Sequence, residues 1–268
     1  MSSYYQANPM TDNLLLDTYL KQLRLPTFLQ NYRKFAEDAA QADLTYDRFL
    51  LSLAEQEVTQ REINREARRI KAARFPVLKE LAEFDFSCIT SPGKQQVLDL
   101  ARGAYLQQVQ NIILVGNPGL GKTHVSIGLS LAACRQGHKV RFFNAAALVN
   151  ELIIAQENHL LPQFITKMLK FDLIVIDELG FIPLSTQGAQ LIFQFCSALY
   201  ERIPLIITTN LRFADWTQVF HSEQLTGALL DRLTHRSTIL EFLGESFRFR
   251  ERMLKQAQPD EPTLEKAS

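Results

Sequence analysis

One stretch limits what this chain can fold into more than any other. Residues 111–123 run Asn-Ile-Ile-Leu-Val-Gly-Asn-Pro-Gly-Leu-Gly-Lys-Thr. Ile112 to Val115 has the length and β-branched content of a buried strand. It runs into Gly116-x-x-x-x-Gly121-Lys122-Thr123, and a helix-like segment follows from Val125 to Arg135. This strand, glycine loop and helix make the P-loop pattern. A polyphosphate needs several backbone N–H groups aimed at one place, and Gly119 and Gly121 let the chain wrap that tightly. The helix N-terminus adds partial positive charge. Lys122 would reach the β/γ-phosphates, and the Thr123 hydroxyl would join a Mg²⁺ shell shared with a carboxylate elsewhere. Gly116, Asn117, Pro118, Gly119, Leu120, Gly121, Lys122, Thr123 and His124 form the expected nucleotide-binding set, with His124 in the first helical turn. The chain is expected to bind a nucleoside triphosphate.

The missing carboxylate has a candidate. Leu173-Ile174-Val175-Ile176-Asp177-Glu178 is an apolar strand ending in two acids, the Walker B pattern. Asp177 would hold the Mg²⁺ with Thr123, directly or through water, and Glu178 would orient and deprotonate an attacking water. Strands ending in two acids are common; the preceding P-loop gives this one its meaning. Pro204-Leu205-Ile206-Ile207-Thr208-Thr209-Asn210 is another strand, ending in a polar cluster. In P-loop ATPases with an extra strand between the P-loop and Walker B strands, a polar residue here reaches the lytic water or γ-phosphate. Asn210 is the first choice and Thr209 the second, against an ordinary strand-to-loop cap.

Short apolar strands expected at 111–116, 139–144, 172–177, 204–209 and 237–241 alternate with helices, the sign of a five-stranded parallel α/β sheet. Ahead of them the pattern is helical. Leu15, Leu16, Tyr19, Leu20 and Leu23 precede a break at Pro26, then Phe28, Leu29, Tyr32, Phe35 and Ala36 follow. Thr45 to Ala73 reads as one long helix, and another is expected near Gln95–Leu106. An irregular connector covers 84–87 and 91–94. Residues 1–11 are expected to fray and 256–268 to be a disordered tail. The expected domains are 1–78, all-α, then 79–255, an ATPase core.

Charge narrows the partners. With 29 basic and 29 acidic residues in 268, no global field would draw the chain onto nucleic acid, so a DNA-binding surface must be local. The long helix offers one. At about 100° per residue, Arg61, Arg65, Arg68 and Arg69 fall within roughly 100° of arc, opposite Ile63, Ala67 and Ile70. Phosphate contact is one reading of this stripe. A solvated face paired with Glu57, Glu62 and Glu66 is the other. Cys88, Cys134 and Cys196 are too scattered for a disulfide framework or zinc site. No apolar run approaches a membrane span and the start is no signal peptide, so a soluble, cytoplasmic protein is expected. Arg232 and Arg248 are candidates for an arginine finger, though the pattern alone favours a surface or helix-end residue for each.

Gly-x-Pro-Gly-x-Gly-Lys-Thr-His at 116–124, Ile-Asp-Glu-Leu-Gly at 176–180, Thr-Thr-Asn-Leu at 208–211 and Leu-Leu-Asp-Arg-Leu-Thr-His-Arg at 229–236 resemble the IstB family. Glu-x-x-x-Arg-Glu at 57–62, Ala-Arg-Phe-Pro at 73–76 and Phe-Asp-Phe at 84–86 do so too, and the likeness covers roughly 12–254. These are AAA+ ATPases that assist the IstA transposase of bacterial insertion sequences, and relatives of the DnaC helicase loader. The resemblance implies an AAA+ core behind a small all-α N-terminal domain, ATP and Mg²⁺, and homo-oligomerisation through the ATP site on duplex DNA. It further implies delivery of target DNA to an IstA-type transposase. By position Arg232 matches the family's trans-acting finger and Arg248 its second sensor. Asn117 departs from the more usual Pro, and Val125-Ser126 from Leu-Ala; neither is expected to alter function. The alternative is a DnaC-like loader whose N-terminal helices grip a replicative helicase. A metabolite kinase fits less well, because Glu178 follows Asp177 and no arginine-rich lid is evident.

Overall fold

In the computed structural model the chain divides into two compact units between Arg68 and Arg69. The structure describes residues 9–247, 249–250 and 252–253, with side chains from residue 13. The expectations for 1–8, for Arg248 and for the tail at 256–268 lie outside the described residues.

The first unit is helical. It holds α1 (Pro9–Gln22), α2 (Pro26–Gln41) and most of α3 (Tyr46–Ala73). Pro26 takes the first helical position of α2, where its missing N–H costs nothing. That helix start is capped by a distant side chain: buried Glu57 of α3 accepts the Thr27 N–H at 2.8 Å and the Arg61 Nε at 2.7 Å. Burial raises the Glu57 pKa, but the bonds from Arg61 and Thr27 outweigh it and hold the carboxyl below its usual value. Arg61 also donates to the Arg24 carbonyl. α1 is tied to α2 by Tyr32 Oη and Arg33 Nη2, which donate to Asp17 at 2.9 and 3.1 Å.

The unit boundary falls inside α3, ahead of the 78/79 boundary read from the sequence. The last turn of the helix explains the shift. Ala73 is fully buried, and Ile70 and Phe75 pack with it into the core of the second unit.

The second unit continues with β1 (Ile89–Ser91), α4 (Lys94–Ala101), α5 (Ala104–Gln107), β2 (Asn111–Gly116) and α6 (Lys122–Arg135). After these come β3 (Val140–Asn144), α7 (Ala145–Glu157), α8 (Leu161–Met168), β4 (Leu173–Asp177) and α9 (Thr186–Leu199). β5 (Leu205–Thr209), α10 (Thr217–Phe220), α11 (Glu223–Thr234) and β6 (Ser237–Gly244) complete it. The sheet order is β1-β6-β2-β5-β4-β3. The five expected strands are present and parallel. The sheet has a sixth strand, because β1 pairs antiparallel with the end of β6 and carries it on to Gly244. The helix expected over 95–106 is two, α4 and α5, separated at Arg102–Gly103.

Successive strand residues point to opposite faces. Ile113, Ile174, Ile176, Leu205 and Ile207 pack with α7, α9 and α11, while Ile112, Leu114, Leu173, Val175 and Ile206 pack with α6. Helices on both faces explain why these strands read as unbroken apolar runs. β5 lies between β2 and β4, so the ends of the P-loop, polar-cluster and Walker B strands stand side by side. Trp216 is core, 1% exposed and stacked on Phe220 at 5.7 Å. Among the described residues no helix is long and apolar enough to cross a membrane.

Candidate nucleotide site

The carboxyl ends of β2, β4 and β5 open onto a cavity of about 620 Å³. Its floor is the loop between β2 and α6. Gly119 and Gly121 have φ of +85° and +87°, and a Cβ on either would stand 2.1 Å from Ser246 Oγ or 2.3 Å from Phe84 Cε2. Only glycine permits both the left-handed turn and those two close neighbours. Lys122 is 9% exposed, and its Nζ donates to the Gly116 and Asn117 carbonyls at 2.6 and 2.9 Å. His124 Nε2 donates to the Glu80 carbonyl at 2.7 Å, with its ring edge-on to Phe84. Val125 and Ser126 are fully buried, and Ser126 Oγ donates to the Thr123 carbonyl.

Opposite the loop, Thr123 Oγ1 donates to both Asp177 oxygens, at 3.0 and 3.1 Å. Thr208 Oγ1 donates to Asp177 Oδ1 at 2.6 Å. Burial pushes the Asp177 carboxyl above its usual pKa; the bonds from Thr208 and Thr123 pull it down, and neighbouring Glu178 adds to the rise. A hydroxyl and a carboxylate meeting in a buried pocket are hard oxygen donors, the set a Mg²⁺ ion takes. Glu178 has φ +61° and lines the cavity, and its Oε2 accepts from Asn144 Nδ2 at 2.9 Å. Asn144 also caps α7, its Oδ1 accepting the Ala146 N–H at 3.1 Å. Asn210 lines the cavity too, with a buried Oδ1 that no group satisfies among the described residues. An orphaned polar atom here fits a ligand or water that would complete it.

The expected residues therefore separate. The loop from Pro118 to His124 lines the cavity together with Glu178 and Asn210, and Asp177 joins it through Thr123. Arg232 does not line it; its Nη1 donates to the Ala228 carbonyl at 2.8 Å and its guanidinium stands 5.0 Å from the Phe193 ring centre. The arginine stripe is largely engaged within the chain. Arg61 is held by Glu57 and the Arg24 carbonyl, Arg65 pairs with Glu62, and Arg69 Nε donates to the Cys134 carbonyl at 2.7 Å. A helical wheel cannot anticipate these acceptors, because Arg24 and Cys134 are remote in sequence. Two polar residues at the acids receive no role from a motif reading, Asn144 and Thr208, although Thr208 lies within the match at 208–211. A hydroxyl interrupting a buried apolar strand, and an Asn before Ala-Ala-Ala at a strand end, are the signals that point to them.

The family described as IstB-like ATP binding protein matches residues 18–255. This chain belongs to that family. A Pseudomonas aeruginosa protein named for ATP binding in insertion sequence IS21 is 34% identical over 237 residues, covering 88% of this chain and 89% of its own. A Sinorhizobium fredii insertion-sequence protein, also named for ATP binding, is 36% identical over 243 residues, covering 90% and 82%. Among solved structures, AMPPCP-bound DnaA from Aquifex aeolicus shares the fold at a TM-score of 0.50 and 19% identity, covering 66% of this chain and 55% of that one. The IstB-like chain thus has an ATP-binding α/β core that shares its fold with DnaA, and a helical N-terminal region.

The buried acid gives a prediction for the nucleotide-free protein. A carboxyl with a raised folded pKa makes the native state bind more protons than the unfolded chain. Stability therefore falls as pH rises from the usual aspartate value, about 3.9, through the raised one. Asp177→Asn keeps an acceptor for Thr208 and removes the charge. It should stabilise the nucleotide-free protein by on the order of 1 kcal/mol at neutral pH, with the gain vanishing at acid pH. Thermal unfolding from pH 3.5 to 7.5 measures this; a constant difference would rule out buried charge as its source.

Proposed function

We propose that this chain hydrolyses ATP, assembles with copies of itself through the ATP site on duplex DNA, and assists an IstA-type transposase in selecting target DNA. The observation that carries the reading is the convergence of Lys122, Thr123, Glu178 and Asn210 on one cavity, with Asp177 held behind Thr123. Thr123 and Asp177 would hold Mg²⁺, which when bound with the nucleotide offsets charge on its phosphates. Lys122 would hold the β/γ-phosphates, Glu178 would take the proton of the attacking water, and the Asn210 amide would orient that water. Among the described residues, none that lines this cavity is an arginine. That supports assigning Arg232 to a neighbouring subunit's site, and the insertion-sequence names of the relatives support the role in transposition. The setting of such a role is the cytoplasm.

The test is a gel shift with duplex DNA, with and without ATP, beside an ATPase assay. ATP-independent mobility, or no hydrolysis with and without DNA, would remove the proposal. For the stripe, Arg65→Gln/Arg68→Gln is the informative double variant, since Arg61 and Arg69 also hold backbone carbonyls. If both meet phosphates, affinity should fall equally for all duplexes and the log–log salt slope should flatten by about 0.9 per lost contact. Unchanged affinity and slope would return these arginines to a solvated face.

A second reading has its own observation. Leu23, Leu50, Val58 and Ile63 of the first unit are more than half exposed. Apolar groups on such a surface favour a protein partner, either the transposase or, on the DnaC-like alternative, a replicative helicase. Pull-down of each candidate with Leu23→Ser/Val58→Ser separates the two.

A further inference from the structure

One buried hydroxyl touches both Walker B acids. Thr208 is 1% exposed at the end of β5, and the β4–β5 register, which pairs Ile176 with Ile207, brings it beside Asp177. Past Asp177 the ladder changes. Glu178 adopts φ +61°, a conformation disfavoured for a residue with a Cβ. Its N–H turns away from the main-chain acceptors and donates to Thr208 Oγ1 at 2.8 Å. The next amide, Leu179, returns to the strand and donates to the Thr208 carbonyl at 2.9 Å. The same Oγ1 gives its single hydrogen to Asp177 Oδ1 at 2.6 Å. A hydroxyl is suited to this place because it donates once and accepts as well. Asn210 cannot serve, since it lies beyond the strand and lines the cavity.

We infer that Thr208 is a positioning residue for hydrolysis: its hydroxyl holds the left-handed turn at Glu178 and so aims the Glu178 carboxylate into the cavity. The inference rests on Glu178 acting on the attacking water. Thr208 sets the backbone of that residue, while Asn144 holds its side chain from the other side. Without the hydroxyl, the Glu178 amide loses its partner in a partly buried setting, and a more extended backbone would swing the carboxylate away. Nucleotide binding should change far less than turnover on this account, because the Thr208 hydroxyl bonds the Glu178 amide and the Asp177 carboxylate rather than the loop after β2.

The experiment compares Thr208→Val, which keeps the shape and removes the hydroxyl, with Thr208→Ser, which restores it. Thr208→Ala replaces the valine variant should that one not fold. In the nucleotide-free protein, amide exchange at Glu178 should quicken by about tenfold or more in the valine variant and return to the parent rate in the serine one. The turnover rate should fall on the order of 10- to 100-fold in Thr208→Val, with the dissociation constant for a fluorescent ATP analogue within about twofold of the parent. Thr208→Ser should recover hydrolysis to within about threefold. Parent-like turnover in Thr208→Val, equal loss in the serine variant, or nucleotide affinity falling in step with turnover would each overturn the assignment. If the parent itself does not hydrolyse ATP, the ATPase reading fails, and Thr208 is still judged by exchange at Glu178: unchanged protection in the valine variant refutes it.

Discussion

Glu178→Gln is expected to bind ATP within about twofold of the parent while hydrolysing it on the order of 1000-fold more slowly. The carboxylate lines the cavity and is bonded by Asn144, whereas the groups proposed to bind phosphate belong to the loop after β2. Glutamine keeps the length and an oxygen for the Asn144 amide, so the change removes proton acceptance and little else. Binding that is intact without turnover should also hold the proposed ATP-dependent assembly together, visible as a long-lived large species in size-exclusion chromatography. Single-turnover hydrolysis and a fluorescent-nucleotide titration measure the two halves separately. Parent-like turnover would take the role of base away from Glu178. Lost affinity would instead show that the Asn144–Glu178 bond shapes the nucleotide cavity itself.

How much of this arrangement is legible in sequence depends on whether a contact is local. β2, β3, β4 and β5 are apolar because both their faces are covered, and that pattern survives without any structure, whereas β6 alternates buried and exposed residues around Leu240 and Phe242. The turn within 116–124 is legible because its glycines announce the left-handed backbone and close neighbours found at Gly119 and Gly121. β1 is not legible: three residues carry no periodicity, and its partners Leu243 and Gly244 lie far along the chain. The division inside α3 escapes for the same reason, since helical spacing continues unbroken through Arg68 and Arg69. The stripe shows the limit most plainly. Angular position places four arginines on one face correctly, yet the fate of a guanidinium is decided by the nearest acceptor. For Arg61 and Arg69 that acceptor is a carbonyl remote in sequence. Thr208 is hidden differently, because its task depends on the left-handed backbone of Glu178, which no residue type announces.

Arg232→Ala should bind nucleotide as the parent does and hydrolyse it on the order of 1000-fold more slowly, the scale of an arginine finger. Arg232 lies in the last turn of α11, held to the Ala228 carbonyl and over Phe193, and it does not line the cavity of its own chain. A finger supplied by a neighbour makes a further, sharper demand when variants are mixed. Glu178→Gln subunits have dead sites but intact fingers; Arg232→Ala subunits have intact sites but no finger to lend. An Arg232→Ala site becomes competent only when the adjoining subunit is of the Glu178→Gln kind. For random assembly with a fraction x of Glu178→Gln, such junctions scale as x(1 − x). Activity should therefore be near zero for either variant alone and greatest at equal amounts. A tagged pull-down confirms that the two variants share assemblies. Shared assemblies that stay inactive at every ratio would mean that Arg232 does not act across the junction, and a finger working within its own chain predicts that flat line.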